Sequence, residues 1–206
     1  MSSDNLESTI LHIQNVALFL LAIPSSWYCI NHIIKVMYLP GYLNDINEVI
    51  KPFDSLIPFV FTHASIDIFL TKNNSLKMHH LCVMGVIGYN YYYSVAGIDR
   101  FLILCCLLKT EASSIFYVLK YWIPKRTLWY NINNLLFYIG FLKFRIIDMY
   151  FELMRTGYIF TVIEKYSTSN ILGSAVLFSS CYGLYLLNLY WFFIINKIAF
   201  TKTKSH

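Results

Sequence analysis

Residues 172–200 read LGSAVLFSSCYGLYLLNLYWFFIINKIAF, and a single charge, Lys197, interrupts the run near its end. A bilayer core of about 30 Å needs about 20 mostly apolar helical residues, so this stretch is long enough to cross one. Backbone groups in lipid must be satisfied within the segment, which makes a helix the expected form. Working outward, five more apolar stretches account for most of the chain: about 10–38, 55–71, 76–96, 98–123 and 129–156. Pro24-Ser25-Ser26 predicts a kink or break in the first. Gly97 reads as the stop after the third, and Pro124 with Lys125-Arg126 behind it closes the fourth. The expected fold is all-α: one multi-pass membrane domain of six helices spanning residues 1–206.

Composition excludes the main alternatives. The 206 residues are 57% hydrophobic and 18% aromatic but only 13% charged, with a mean hydropathy of +0.54. A soluble domain carries about 25% charged residues, so 16 basic and 11 acidic side chains are too few to coat this chain in water. Disordered chains lack the aromatic and branched residues that abound here. The net charge of +5 is modest and no arginine-rich patch is present, so no nucleic-acid partner is expected. Cys29, Cys82, Cys105, Cys106 and Cys181 form no CxxC pair and no Cys/His zinc pattern. They read as small hydrophobes, with no metal or cofactor expected. The first apolar run starts too late, and without a basic leader, to read as a removable signal peptide. The richness in Phe, Tyr, Met, Ile, Asn and Lys over Gly, Ala, Arg and Pro points to an AT-rich source genome, as in some protists and giant DNA viruses. Part of the Tyr and Asn abundance is then mutational bias.

Six spans put both termini on one side of the membrane. That side would hold Lys72, Lys77, Lys120, Lys125, Arg126, Lys197, Lys202 and Lys204, against Lys35, Lys51, Arg100, Arg155 and Lys165 on the other. The excess predicts cytosolic termini.

Ionisable residues within spans are costly, and the default reading of them is functional. His63 and Asp67 lie four apart, on one helical face. Only Lys72 to Ser75 separate that helix from the next, which opens with Met78-His79-His80. So short a connection makes the helices antiparallel neighbours and brings Asp67 and His80 to similar depth. Asp67 would then accept from one imidazole and fix its tautomer, as a general base or nucleophile requires. A histidine pair near a helix end is equally served by interfacial water, and both readings stay open. Further along, Glu111 and Ser114 share a face, as do Arg145, Asp148 and Glu152 in the next span. We expect Glu111 to pair with Arg145 across the helices, with Asp148 as a competing partner. Such pairs serve as packing glue at least as readily as they serve chemistry. Asn188-Leu189-Tyr190-Trp191-Phe192, with Asn196-Lys197, reads as an interfacial aromatic girdle, and so does Tyr89-Asn90-Tyr91-Tyr92-Tyr93.

The series Asp67, His79-His80 at the head of a helix, Thr110-Glu111-Ala112-Ser113-Ser114 running into Tyr121-Trp122, Arg145, and Asn188-Leu189-Tyr190-Trp191-Phe192 with a basic tail resembles the TLC-domain family. Its members include the ceramide synthases, a translocon-associated membrane protein and several small TLC-domain-containing proteins. The resemblance runs from about residue 50 to Lys197. It implies a six-helix barrel open to lipid, usually in the endoplasmic reticulum or, for a viral version, a host endomembrane. By position, His79 and His80 match the histidines that carry acyl transfer in the synthases, with Asp67 and His63 orienting them. Glu111, Ser114, Arg145 and Asp148 are expected as cavity-facing or structural polar residues. The segment Lys109-Thr110-Glu111-Ala112-Ser113-Ser114 stands where the synthases carry an aspartate-rich motif, and is closer to the small TLC-domain proteins linked to phospholipid composition.

Three functions follow. The chain binds or adjusts membrane lipids, with lipids or fatty acyl chains as its partners. Alternatively it is an N-acyltransferase of ceramide synthase type, with acyl-CoA as co-substrate. The third is a translocon- or cargo-associated factor, for which the short loops offer little surface.

Overall fold

A computed structural model describes residues 46–95, 97–155, 157–167 and 170–202, together with Val16, Ile23 and Trp27. The expected span 10–38, its break at Pro24, and Cys29 otherwise lie outside the described residues. The described chain is helical, with no strand among its residues. Its elements are α1 (Ile46–Leu70), α2 (Asn74–Tyr92), α3 (Gly97–Ala112), α4 (Ser114–Trp122) and α5 (Leu128–Gly140). Two π-helical segments, Phe141–Asp148 and Tyr150–Arg155, continue α5, and α6 (Tyr158–Ser167) and α7 (Ile171–Lys202) complete the chain.

The helix ends have local causes. Asn73 caps α2, its side-chain oxygen accepting from the backbone N–H of Ser75 at 2.9 Å and of Leu76 at 3.4 Å. α2 stops at Tyr92, with Ser94 in the left-handed region at φ 49°. Gly97 therefore opens α3 rather than stopping the helix before it. The stretch 98–123 is not one helix either. Thr110 and Ser113 donate their hydroxyls to carbonyls three residues back, at 2.6 and 2.9 Å, and such bonds compete with the helical ladder. The break falls at Ser113. Residues 157–171, which lie outside the expected spans, contain α6, which turns in at Gly157 (φ 64°) and buries Ile159 and Val162.

α2 lies most closely on α7, and small residues make that possible. A Cβ on Gly85 would collide with the Ser180 hydroxyl, and one on Gly173 with the ring of Tyr93. The core between the helices gathers Val83, Val86, Ile87, Ile103, Leu104, Met149, Val162, Leu177 and Leu184.

Many polar residues are also inside. Asp67, His79, His80, Asn90, Ser113, Ser114, Arg145 and Asn188 are buried, while Phe59, Ile66, Phe69, Leu81, Leu135, Ile139, Leu186 and Phe193 are exposed. Water-soluble proteins distribute the two classes the other way. Two helical stretches, Asp99–Trp122 and Ile171–Ile198, are long and apolar enough to cross a membrane. Only 33% of the most apolar part of the second is buried within the protein. The core helix of a soluble protein would be covered on most sides.

Candidate functional site

The short Thr71–Asn73 connection sets α1 and α2 side by side, and Asp67 reaches His80. Nε2 of His80 donates to Oδ2 of Asp67 at 2.7 Å, with both side chains buried. An ionised carboxylate only accepts, so the proton of this hydrogen bond is carried by Nε2. His63 meets the edge of His80, centroids 5.7 Å apart, rather than standing between it and Asp67. His79 lies edge-on to His80 at 5.4 Å and packs on Trp191 of α7 at 5.3 Å. The Trp191 indole N–H donates to Ser75 Oγ at 3.1 Å, tying α7 to the first turn of α2. Nδ1 of His79 is buried with no hydrogen-bond partner. Such a group costs about 1–3 kcal/mol of desolvation.

A second centre forms around Arg145. The first π-helical segment carries it into the bundle, where its Nε donates to Ser113 Oγ and its Nη2 to Ser114 Oγ, each at 2.9 Å. Nη1 reaches Asn188 Oδ1 at 3.4 Å. Ser114 passes its own proton to Glu111 Oε2 at 2.9 Å, while Glu111 stands 3.9 Å from the guanidinium. The expected Glu111–Arg145 pair is thus relayed through a hydroxyl. Asp148 does not compete for Arg145: it pairs with Lys143. In a π-helical turn residues five apart come into register, and 143 and 148 are five apart. Glu152 leaves the same face to pair with Lys109 of α3.

A narrow cavity joins the centres. His79, Thr110 and Asn188 supply polar lining, and Val86, Ile103, Leu107, Met149, Leu153 and Leu184 supply the apolar wall. About 10 Å³ is open to the centre of a water-sized sphere, room for one water molecule. Cys106 and Cys181 also line it as buried thiols. Among the described residues no three His, Cys, Asp or Glu side chains converge as metal ligands.

Ser113, Asn188 and Trp191 belong to the site yet were read from sequence only as motif or girdle. Asn188 and Trp191 are three apart, hence on one face of α7. That spacing was the available signal. Tyr89 and Asn90 likewise prove buried, while Tyr91 and Tyr92 keep the exposure of an interfacial pair.

The described residues are all-helical, with two helical stretches of membrane-spanning length among them and Asp67, His79, His80, Arg145 and Asn188 gathered inside. No family model, curated protein or solved structure matches the chain.

Proposed function

We propose that this chain is a multi-pass membrane protein of TLC type that binds or adjusts membrane lipids, with six spans and cytosolic termini, in the endoplasmic reticulum or an equivalent endomembrane. The observation that carries the reading is the buried Asp67–His80 pair with His79 beside it, His79 lining a mostly apolar cavity in a helix bundle that exposes many large apolar side chains. An acyl chain would enter that cavity as the helices part, with its polar end at His79 and Asn188. Bilayer lipid is the ligand class such a lining suits, since its wall is hydrocarbon and its few polar groups are clustered.

The hydrogen bond between His80 and Asp67 favours a second reading, N-acyl transfer from acyl-CoA to a lipid amine. The amine nitrogen would attack the thioester carbonyl. The C–N bond forms and the C–S bond breaks, a histidine takes the amine proton, and the thiolate leaves to be protonated as free thiol. His79 and His80 are the residues that would carry it, with Asp67 holding His80.

Intact-mass and lipid analysis of the purified protein, beside His79→Ala and His80→Ala variants, separates the two. Bound lipid without acyl transfer supports the binding reading, and an acyl adduct or product lost in the variants supports the transferase. Protein that carries no lipid and transfers no acyl group contradicts both.

A further inference from the structure

The turn between α4 and α5 carries a feature that the histidine site does not use. Lys120, Lys125 and Arg126 are all exposed, and none has a carboxylate partner among the described residues. From Ala112 to Ile147 the sequence contains no Asp or Glu. Several cations elsewhere are matched: Arg100 pairs with Asp54 at 2.9 Å, Lys165 with Asp99 at 2.6 Å, and Lys109 with Glu152. Lys120, Lys125 and Arg126 stand among exposed rings, Tyr121 at 49%, Trp122 at 43% and Trp129 at 70%.

The turn is stiff. Thr127 Oγ1 accepts from Tyr130 N–H at 3.2 Å and donates to the Pro124 carbonyl at 2.8 Å, and Arg126 holds φ 69°. Both cations of the turn are therefore presented on a fixed backbone rather than on a loose loop. Aromatic rings sit at headgroup level in membranes, and lysine or arginine beside them meets the phosphates. An anionic leaflet attracts each such charge by about a fivefold gain in binding.

Resting on the membrane reading above, we infer that the α4–α5 turn is a binding site for the headgroup of an anionic phospholipid, with Lys120, Lys125 and Arg126 as its cations and Tyr121, Trp122 and Trp129 as its interfacial anchors. The turn lies at the end of the bundle where α2 begins and α7 ends, since Trp191 meets Ser75 and Tyr138 meets Asn196 there. That is the end expected to face the cytosol. A cytosolic leaflet is the anionic one, so charge and position agree.

The test is titration of the detergent-solubilised full chain with dioleoylphosphatidylserine and, separately, dioleoylphosphatidylcholine, read by native mass spectrometry. Glycerol phosphate serves as the soluble-anion arm. Wild-type protein should prefer the serine lipid over the choline lipid. The triple variant Lys120→Gln/Lys125→Gln/Arg126→Gln should lose that preference by on the order of a hundredfold. Lys125→Gln alone should lose about fivefold, which keeps the test open should the triple variant fold poorly. Lys165→Gln, at the other end, should keep the wild-type preference. Equal binding of both lipids, a preference unchanged in the variants, or glycerol phosphate competing as well as the lipid would overturn the inference. A chain that stays monomeric and monodisperse without detergent and takes up neither lipid would instead overturn the membrane reading on which it rests.

Discussion

The histidine and arginine centres are both buried and both charged or chargeable, yet they are finished to different degrees. Around Arg145, Nε, Nη1 and Nη2 each find a side-chain oxygen, and Ser114 hands the interaction on to Glu111. Around His79 the arrangement stops short, because Nδ1 is buried and meets no partner. Fully satisfied polar networks hold helices together. A buried polar atom left open forfeits free energy in the resting protein, and a ligand that meets it recovers some of that loss. On the proposed reading, the arginine centre serves architecture and the histidine centre receives the ligand.

The largest expected effect comes from breaking the finished centre. Arg145→Met strands Glu111 without its cation and removes the donors that Ser113, Ser114 and Asn188 accept from. We expect a loss of about 3–5 kcal/mol, measured by chemical unfolding in detergent, partly restored by adding Glu111→Leu. A variant with wild-type stability and activity contradicts the pairing. Ser114→Ala cuts only the relay, and should cost about 1–3 kcal/mol while leaving lipid content unchanged.

At the unfinished centre the balance reverses. His79→Phe keeps a ring against Trp191 and removes the orphaned nitrogen, so stability should stay within about 1 kcal/mol of wild type. Lipid retention or turnover should fall all the same. A large loss of stability with lipid handling intact would make His79 another structural residue.

The smallest effect belongs to neither centre. Lys165 bonds Asp99 at 2.6 Å from the exposed face of α6, and that hydrogen bond holds its ammonium above the usual lysine range. A raised folded-state value means the contribution is complete below the ordinary lysine pKa. It fades as pH rises through the higher folded one. Lys165→Met should therefore lower the melting temperature slightly and equally at pH 6 and pH 8, with the difference from wild type shrinking only in strong alkali.

The sequence displayed some of this plainly and hid the rest for physical reasons. Asp67 and His80 can be paired on paper because so short a connection, read as Lys72 to Ser75, leaves the two helices little choice of register. The Arg145 network could be guessed only in outline. Face arithmetic at 3.6 residues per turn put Arg145, Asp148 and Glu152 together, and the π-helical turns redistribute them to three different partners. The break at Ser113 depends on hydroxyls turning back on their own carbonyls, a choice the residue types permit but do not dictate. α6 was missed because Tyr158–Ser167 is too short and too mixed to resemble a span, although Ile159 and Val162 sit three apart on one face. Trp191 is the hardest residue to read: among so many aromatics, only its spacing of three from Asn188 separates a ring packed on a histidine from a girdle ring.

Photolabelling would show whether the cavity beside His79 receives lipid acyl chains. Membranes containing the full chain would be loaded with a fatty acid bearing a diazirine near its terminal methyl, irradiated, and the labelled peptides mapped. Labels are expected on cavity-wall residues such as Val86, Leu153 and Leu184, reduced in His79→Phe. Labels confined to outward residues such as Phe59, Phe69 and Phe193, unchanged in that variant, would contradict acyl-chain binding there.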